Sequence, residues 1–304
     1  MTRRILIGVV LLLIHNVVNA QRLNYGQKET LIERILKAPE SVFKKFQDAG
    51  MQPENHPLSK SEQGKVERAL SNLPPAYYKL LEHHLHSISF MDNMPNTALT
   101  SIIESTGPAK MFNITIRASI LNETVSDWAT QKENSCFDQE VDPTMKIEIE
   151  GGELDAIQYI LLHEASHVID GVLEITPHQR DLNSYADINS FTKGIWSNMN
   201  TPIEKYQDYP LKENRFRSGK KTAIIQSCDM YRELKETPFV SLYGTASWFE
   251  DFAELMTLFH LTSVMNQPYK VVIRKSDTTL MVFEPMKNRL VKRRLKQLKN
   301  FYTK

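Results

Sequence analysis

The chain has 304 residues, 41% of them hydrophobic and 24% charged, with 37 basic residues against 36 acidic. That is enough for one large domain or two ordinary ones, and it excludes a collagen-like, disulfide-dense or wholly disordered chain. A formal net charge of +1 supplies no field toward nucleic acid or an anionic membrane.

Arg3 and Arg4 precede an apolar run over residues 5–14, and Val18-Asn19-Ala20 then offers small residues for cleavage. This is the layout of a secretory signal peptide over residues 1–20. The run is shorter than the roughly 20 residues that a membrane-spanning helix needs. The expected mature chain begins near Gln21, is secreted or periplasmic, and keeps no stable membrane anchor once the signal is cleaved. Export also bears on Cys136 and Cys228, the only cysteines. An oxidising compartment permits a bond between them; the alternative is two buried thiols that pack as small apolar groups. No Cys-x-x-Cys pair suggests a thiolate metal site. Asn113-Ile114-Thr115 and Asn122-Glu123-Thr124 match glycosylation acceptors, a short pattern common by chance.

Residues 21–72 are predicted as a helical N-terminal extension. Helical periodicity covers 29–37 and 61–70, with a loop between them marked by Gly50, Pro53 and Pro57. Another helix starts at Leu73-Pro74-Pro75 and runs through Tyr77, Leu80, Leu81 and Leu85. It leaves His83, His84 and His86 as surface and boundary residues, because imidazoles at i, i+1 and i+3 cannot share one direction. Residues 111–120 alternate as a strand, with Phe112, Ile114, Ile116, Ala118 and Ile120 on one face. A second strand, 145–150, sets Ile147 and Ile149 against Lys146, Glu148 and Glu150, the charge pattern of an exposed edge. Gly151-Gly152 ends it, and a helix follows over about 153–170.

That helix carries His163-Glu164-Ala165-Ser166-His167. Positions i and i+4 lie one turn apart on one face, so both imidazoles can reach one metal ion, and Glu164 can take a proton from the attacking water. Catalytic zinc wants three protein ligands. The third ligand of the metzincin and aspzincin patterns fails here, because Asp170 and Leu173 occupy the required positions. A glutamate on a second helix remains. Trp248-Phe249-Glu250-Asp251-Phe252-Ala253-Glu254-Leu255-Met256 is such a helix, with Glu250 and Glu254 on one face of an otherwise apolar segment. Two carboxylates there are costly to bury unless a cation or donors meet them. One ligating zinc and one accepting a histidine N–H would satisfy both. Asp170 is a further outer-sphere candidate, although a helix-end carboxylate is its simpler reading. Residues 269–274 and 279–283 flank a Lys275-Ser276-Asp277 turn and predict a hairpin. The basic stretch from Lys287 to Lys299 repeats Val291, Leu295, Leu298 and Tyr302 at helical spacing, so it reads as a docked amphipathic helix with a solvated basic face.

With these motifs the chain resembles the gluzincin metallopeptidases, and more closely the catalytic domain of anthrax lethal factor and the related Pro-Pro endopeptidases. The likeness rests on His163-Glu164-Ala165-Ser166-His167 and on Tyr243-Gly244 followed by Glu250-Asp251-Phe252-Ala253-Glu254. It implies one zinc ion held by His163, His167 and Glu250, with Glu164 as general base. It implies that Tyr243 steadies the oxyanion, a role a phenol held nearby can fill by donating its O–H. Glu254 would orient a ligand histidine. The strand before the metal helix would be the edge along which an extended substrate pairs. Residues 168 to 249 separate His167 from Glu250, a longer stretch than those relatives lead one to expect, so substrate specificity does not transfer.

The expected architecture is therefore α+β: a zincin-like metallopeptidase domain over residues 73–304, with an active-site helix and a small mixed sheet, behind the helical extension. The expected function is extracytoplasmic, zinc-dependent hydrolysis of peptide bonds in a protein or peptide substrate, with no nucleic-acid partner. The alternatives are a zinc hydrolase of a cell-wall amide and a catalytically lapsed zincin-fold binding protein; an intact Glu164 and Tyr243 argue against the second.

Overall fold

A computed structural model describes residues 30–103, 109–178, 189–213, 216 and 221–298. The proposed signal segment lies outside these residues. The chain is a mixed α+β protein with small sheets. It opens with α1 (Glu40–Asp48), β1 (Glu54–Asn55), α2 (Lys60–Ser71) and α3 (Pro75–His84), followed by β2 (Leu85–Asp92), β3 (Ala98–Ile103) and β4 (Met111–Arg117). Next come α4 (Val125–Asn134), β5 (Phe137–Asp138), β6 (Met145–Glu150) and α5 (Ala156–Leu173). The rest comprises β7 (Trp196–Asn198), β8 (Thr201–Pro202), β9 (Thr222–Ala223), α6 (Ser227–Lys235), α7 (Trp248–Phe259), β10 (Lys270–Lys275), β11 (Thr278–Phe283) and α8 (Arg289–Leu298). No described helix is long and apolar enough to cross a membrane.

These elements form two compact units. One takes the described residues up to Glu123 together with Asp155–Glu174. Its sheet has the order β1-β2-β4-β3, with β2 and β4 parallel and β3 antiparallel on the outer edge. Both faces of β4 are buried, so the alternation seen in its sequence does not separate core from solvent. The strand stops at Arg117, and residues Ala118–Asn122 turn as a 3-10 helix instead of continuing the strand to Ile120. Residues 30–72 lie in this unit. The expected helix over 29–37 shrinks to a 3-10 turn, Leu31–Arg34, and the expected loop holds α1, whose Val42 and Phe46 pack with Met91 and Met94. Nor does α3 reach Leu85. His84 ends it and His86 sits in β2, so the three histidines never share one helix. Asn113 is buried on β4 and bonded by Ser87, which removes it as a glycosylation acceptor.

The other unit contains Thr124–Leu154 and the described residues from Ile175 onward. Its antiparallel sheet runs β11-β10-β6, so the predicted hairpin and the 145–150 strand form as expected and join one another. The outer edge of β6 is not open. Asn134 Nδ2 of α4 donates to Ile147 O at 2.7 Å, and Ile149 N donates to Thr130 Oγ1 at 2.8 Å. Side chains of α4 thus take the backbone groups that an incoming strand would need, which overturns the substrate-pairing role expected of β6. No disulfide joins Cys136 and Cys228, so of the two readings the bonded one is not seen. In α8, Val291 and Leu295 are buried as expected, but so is Arg294, which departs from a wholly solvated basic face. Tyr302 and parts of the segment between α5 and α7 lie outside the described residues.

Candidate metal centre

The helix α5 is buried along almost its whole length, as its apolar sequence requires. It passes close to β4 because residue 171 is glycine: a Cβ there would meet the Phe112 ring at 2.7 Å. Two polar contacts fix it further. Asn72 Nδ2 donates to Gln158 Oε1 at 2.9 Å, and Ser166 Oγ donates to Tyr77 OH at 3.3 Å. The rings of His163 and His167 therefore stand on a rigid support, 4.9 Å apart between centres and nearly perpendicular. Their Nε2 atoms approach to 3.2 Å. Tetrahedral zinc with Zn–N bonds of about 2.0–2.1 Å would place two nitrogens about 3.3 Å apart, so the pair fits that ion without rearrangement.

Glu250 is the candidate for a third donor. One ligand atom each from His163, His167 and Glu250 lie within 4.8 Å of one another; His163 and Glu250 are buried and His167 half-buried. Two imidazole nitrogens with one carboxylate oxygen are a donor set that suits zinc. Glu250 occupies the first turn of α7, where Ser247 Oγ caps the helix by accepting from the Glu250 backbone N–H at 3.2 Å.

Glu164, between the histidines, is only 7% exposed. Its Oε2 accepts a 2.6 Å hydrogen bond from Thr100 Oγ1 on β3. Thr100 carries no signal in the sequence, since an edge-strand threonine is ordinary until a helix places a carboxylate over it. Asp170, expected as a plain helix-end carboxylate, is instead fully buried.

Tyr243 opens a short 3-10 turn, Tyr243–Thr245, ahead of α7. Its half-buried ring lies 4.6 Å from that of Phe216 and 4.5 Å from the Lys132 ammonium. Glu254 is fully buried, with Oε1 accepting from Lys132 Nζ at 3.1 Å and Oε2 from Ser241 Oγ at 2.6 Å. Nothing local in the sequence marks Lys132, because more than a hundred residues separate it from Glu254 and Tyr243. Ser241 lies only 13 residues before Glu254, yet one more serine in a turn carries no signal of its own. Next to Lys132, Glu133 is buried in α4. Burial pushes its carboxyl up to about 7, with the Lys132 cation opposing and the Glu254 charge adding to the rise. The buried Tyr231 phenol is likewise raised, by desolvation first and then by the charge of Glu133.

Asp251, beside Glu250, is held from the core side. Trp196 Nε1 donates to its Oδ2 at 2.9 Å, and Arg294 of α8 meets both of its oxygens. No protein-family model, no curated protein and no solved structure matches the chain.

Proposed function

We propose that this chain is an exported, zinc-dependent endopeptidase with a zincin-like catalytic site. The observation that carries the reading is the convergence of His163, His167 and Glu250 donor atoms within 4.8 Å, with Glu164 set between the two histidines in the chain. A zinc ion there would supply a Lewis acid and make its bound water acidic enough to react near neutral pH.

The rest of the chemistry falls to side chains of this chain. Glu164 accepts a proton from the attacking water and delivers it to the amine that leaves, while Thr100 fixes the carboxylate through Oε2. Tyr243 donates its phenolic O–H to the carbonyl oxygen as negative charge builds there. An extended peptide pairs with β3, which is the outer strand of its sheet and bears Thr100. That strand takes the role which α4 denies to β6.

Peptide-library digestion by the zinc-loaded protein, beside Glu164→Gln, tests the reading. Cleavage of internal peptide bonds by the wild type and at least a hundredfold less by Glu164→Gln is expected. Release of cell-wall fragments without peptide-bond cleavage in protein substrates would replace endopeptidase by amidase.

A further inference from the structure

We propose that Lys132 is a positioning residue for Tyr243, a role that rests on the peptidase reading in which the phenol donates to the developing oxyanion. The Lys132 ammonium stands 4.5 Å from the centre of the Tyr243 ring, 5.0 Å from that of Trp128 and 5.8 Å from that of Phe216. It also meets Glu254 Oε1, at 3.1 Å. The lysine side chain is 11% exposed and that of Glu254 is 0% exposed. A cation withdrawn this far from water needs a counter-charge and polarisable ring faces, and here it has both.

The arrangement closes a loop around Tyr243. Glu254 Oε2 accepts from Ser241 Oγ at 2.6 Å, and Ser241 Oγ accepts from the Gly244 backbone N–H at 3.0 Å. One buried carboxylate therefore ties down both the turn that carries Tyr243 and the cation beside its ring. Phe216 packs against the same ring. Backbone and ring are each anchored, so the direction of the phenolic O–H is set before substrate arrives. The cation does more than an apolar side chain of equal bulk. As the phenol shares its proton with the oxyanion, negative charge spreads onto the tyrosine oxygen and ring, and a fixed ammonium 4.5 Å away stabilises it. Lys132 thus favours the transition state over the bound substrate, an effect read in kcat and not in KM.

The test is a double-mutant cycle on the zinc-loaded full chain. Lys132→Met is made with Tyr243 intact and in a Tyr243→Phe background. Removing the lysine alone leaves Glu254 buried without its counter-charge, so the cycle is repeated with Lys132→Met and Glu254→Gln together, which keeps an acceptor for Ser241. With Tyr243 intact, kcat falls at least tenfold at unchanged KM; in the Tyr243→Phe background the same change costs less than twofold. Equal losses in both backgrounds overturn the proposal. A second readout needs no turnover. In zinc-free protein labelled with 3-fluorotyrosine, the Tyr243 19F resonance, identified by its loss in Tyr243→Phe, moves toward its unfolded-chain position in the Lys132 variants. An unmoved resonance overturns the proposal as well. If the wild type cleaves no peptide, the peptidase reading fails on its own, and the 19F measurement still decides whether Lys132 places the ring.

Discussion

Arg294 grips Asp251 through two parallel bonds of 2.7 Å, Nη1 to Oδ1 and Nη2 to Oδ2, and both side chains are buried. Trp196 Nε1 completes the shell of that carboxylate. Asp251 neighbours Glu250 on α7, so α8 anchors the helix that presents the proposed third metal ligand. Bidentate pairing with arginine also fixes the angle of approach, which a lysine would not do.

Arg294→Met should therefore destabilise strongly. Breaking one half of a buried pair leaves an uncompensated charge and costs about 3–5 kcal/mol. Thermal melting should drop by about 10 °C. Adding Asp251→Asn, which keeps an acceptor for Trp196, should recover more than half of that loss. A melting temperature unchanged in Arg294→Met would show that the pair does not anchor α8.

Glu133 predicts a pH dependence with a definite sign. Its folded pKa, about 7, lies above the ordinary 4.5, so the native state holds a proton that the unfolded state releases. Stability from this group is full below about pH 4.5 and declines as pH rises toward 7, by about 3 kcal/mol across the interval. Glu133→Gln should remove that decline and be more stable than the wild type at pH 8. Denaturant titrations of both proteins at pH 5 and pH 8 read the difference directly. A wild type whose stability relative to Glu133→Gln rises with pH would reverse the assignment.

Much of this was legible in the sequence, for reasons that can be named. The helix α5 announces itself by an apolar run with histidines at i and i+4, and β6 by the alternation of Ile147 and Ile149 with charges. The hairpin β10–β11 is marked by its Lys275-Ser276-Asp277 turn. What failed was local pattern without tertiary context. Leu85 continues the helical spacing of Leu80 and Leu81, yet it opens β2, a strand buried on both faces and so lacking alternation. Arg294 looks like one more member of a basic run until Asp251 is found against it. The individual candidate residues could be picked out, but the long-range partners Thr100 and Lys132 could not, nor could Ser241, an ordinary serine until Glu254 is found against it.

The two glutamates of α7 should separate cleanly. Glu250 offers its carboxylate beside the two imidazoles, whereas the oxygens of Glu254 are engaged by Lys132 and Ser241. Glu250→Ala should abolish tight zinc binding. Glu254→Gln should retain it with less than about a tenfold loss, since the Glu254 oxygens serve Lys132 and Ser241, and a partner bonded directly to a ligand would cost about 10–100-fold. Competition with a chromophoric chelator places both variants on one scale. The opposite order would exchange the roles of the two carboxylates.

The central claim is that His163, His167 and Glu250 hold one zinc ion while Glu164 serves the chemistry without binding it. Metal content by mass spectrometry, on wild type, His163→Ala and Glu164→Gln equilibrated with zinc and desalted, tests it most directly. The account predicts about one zinc per chain in the wild type and in Glu164→Gln, and almost none in His163→Ala. Zinc retained equally by all three, or bound by none, would contradict it.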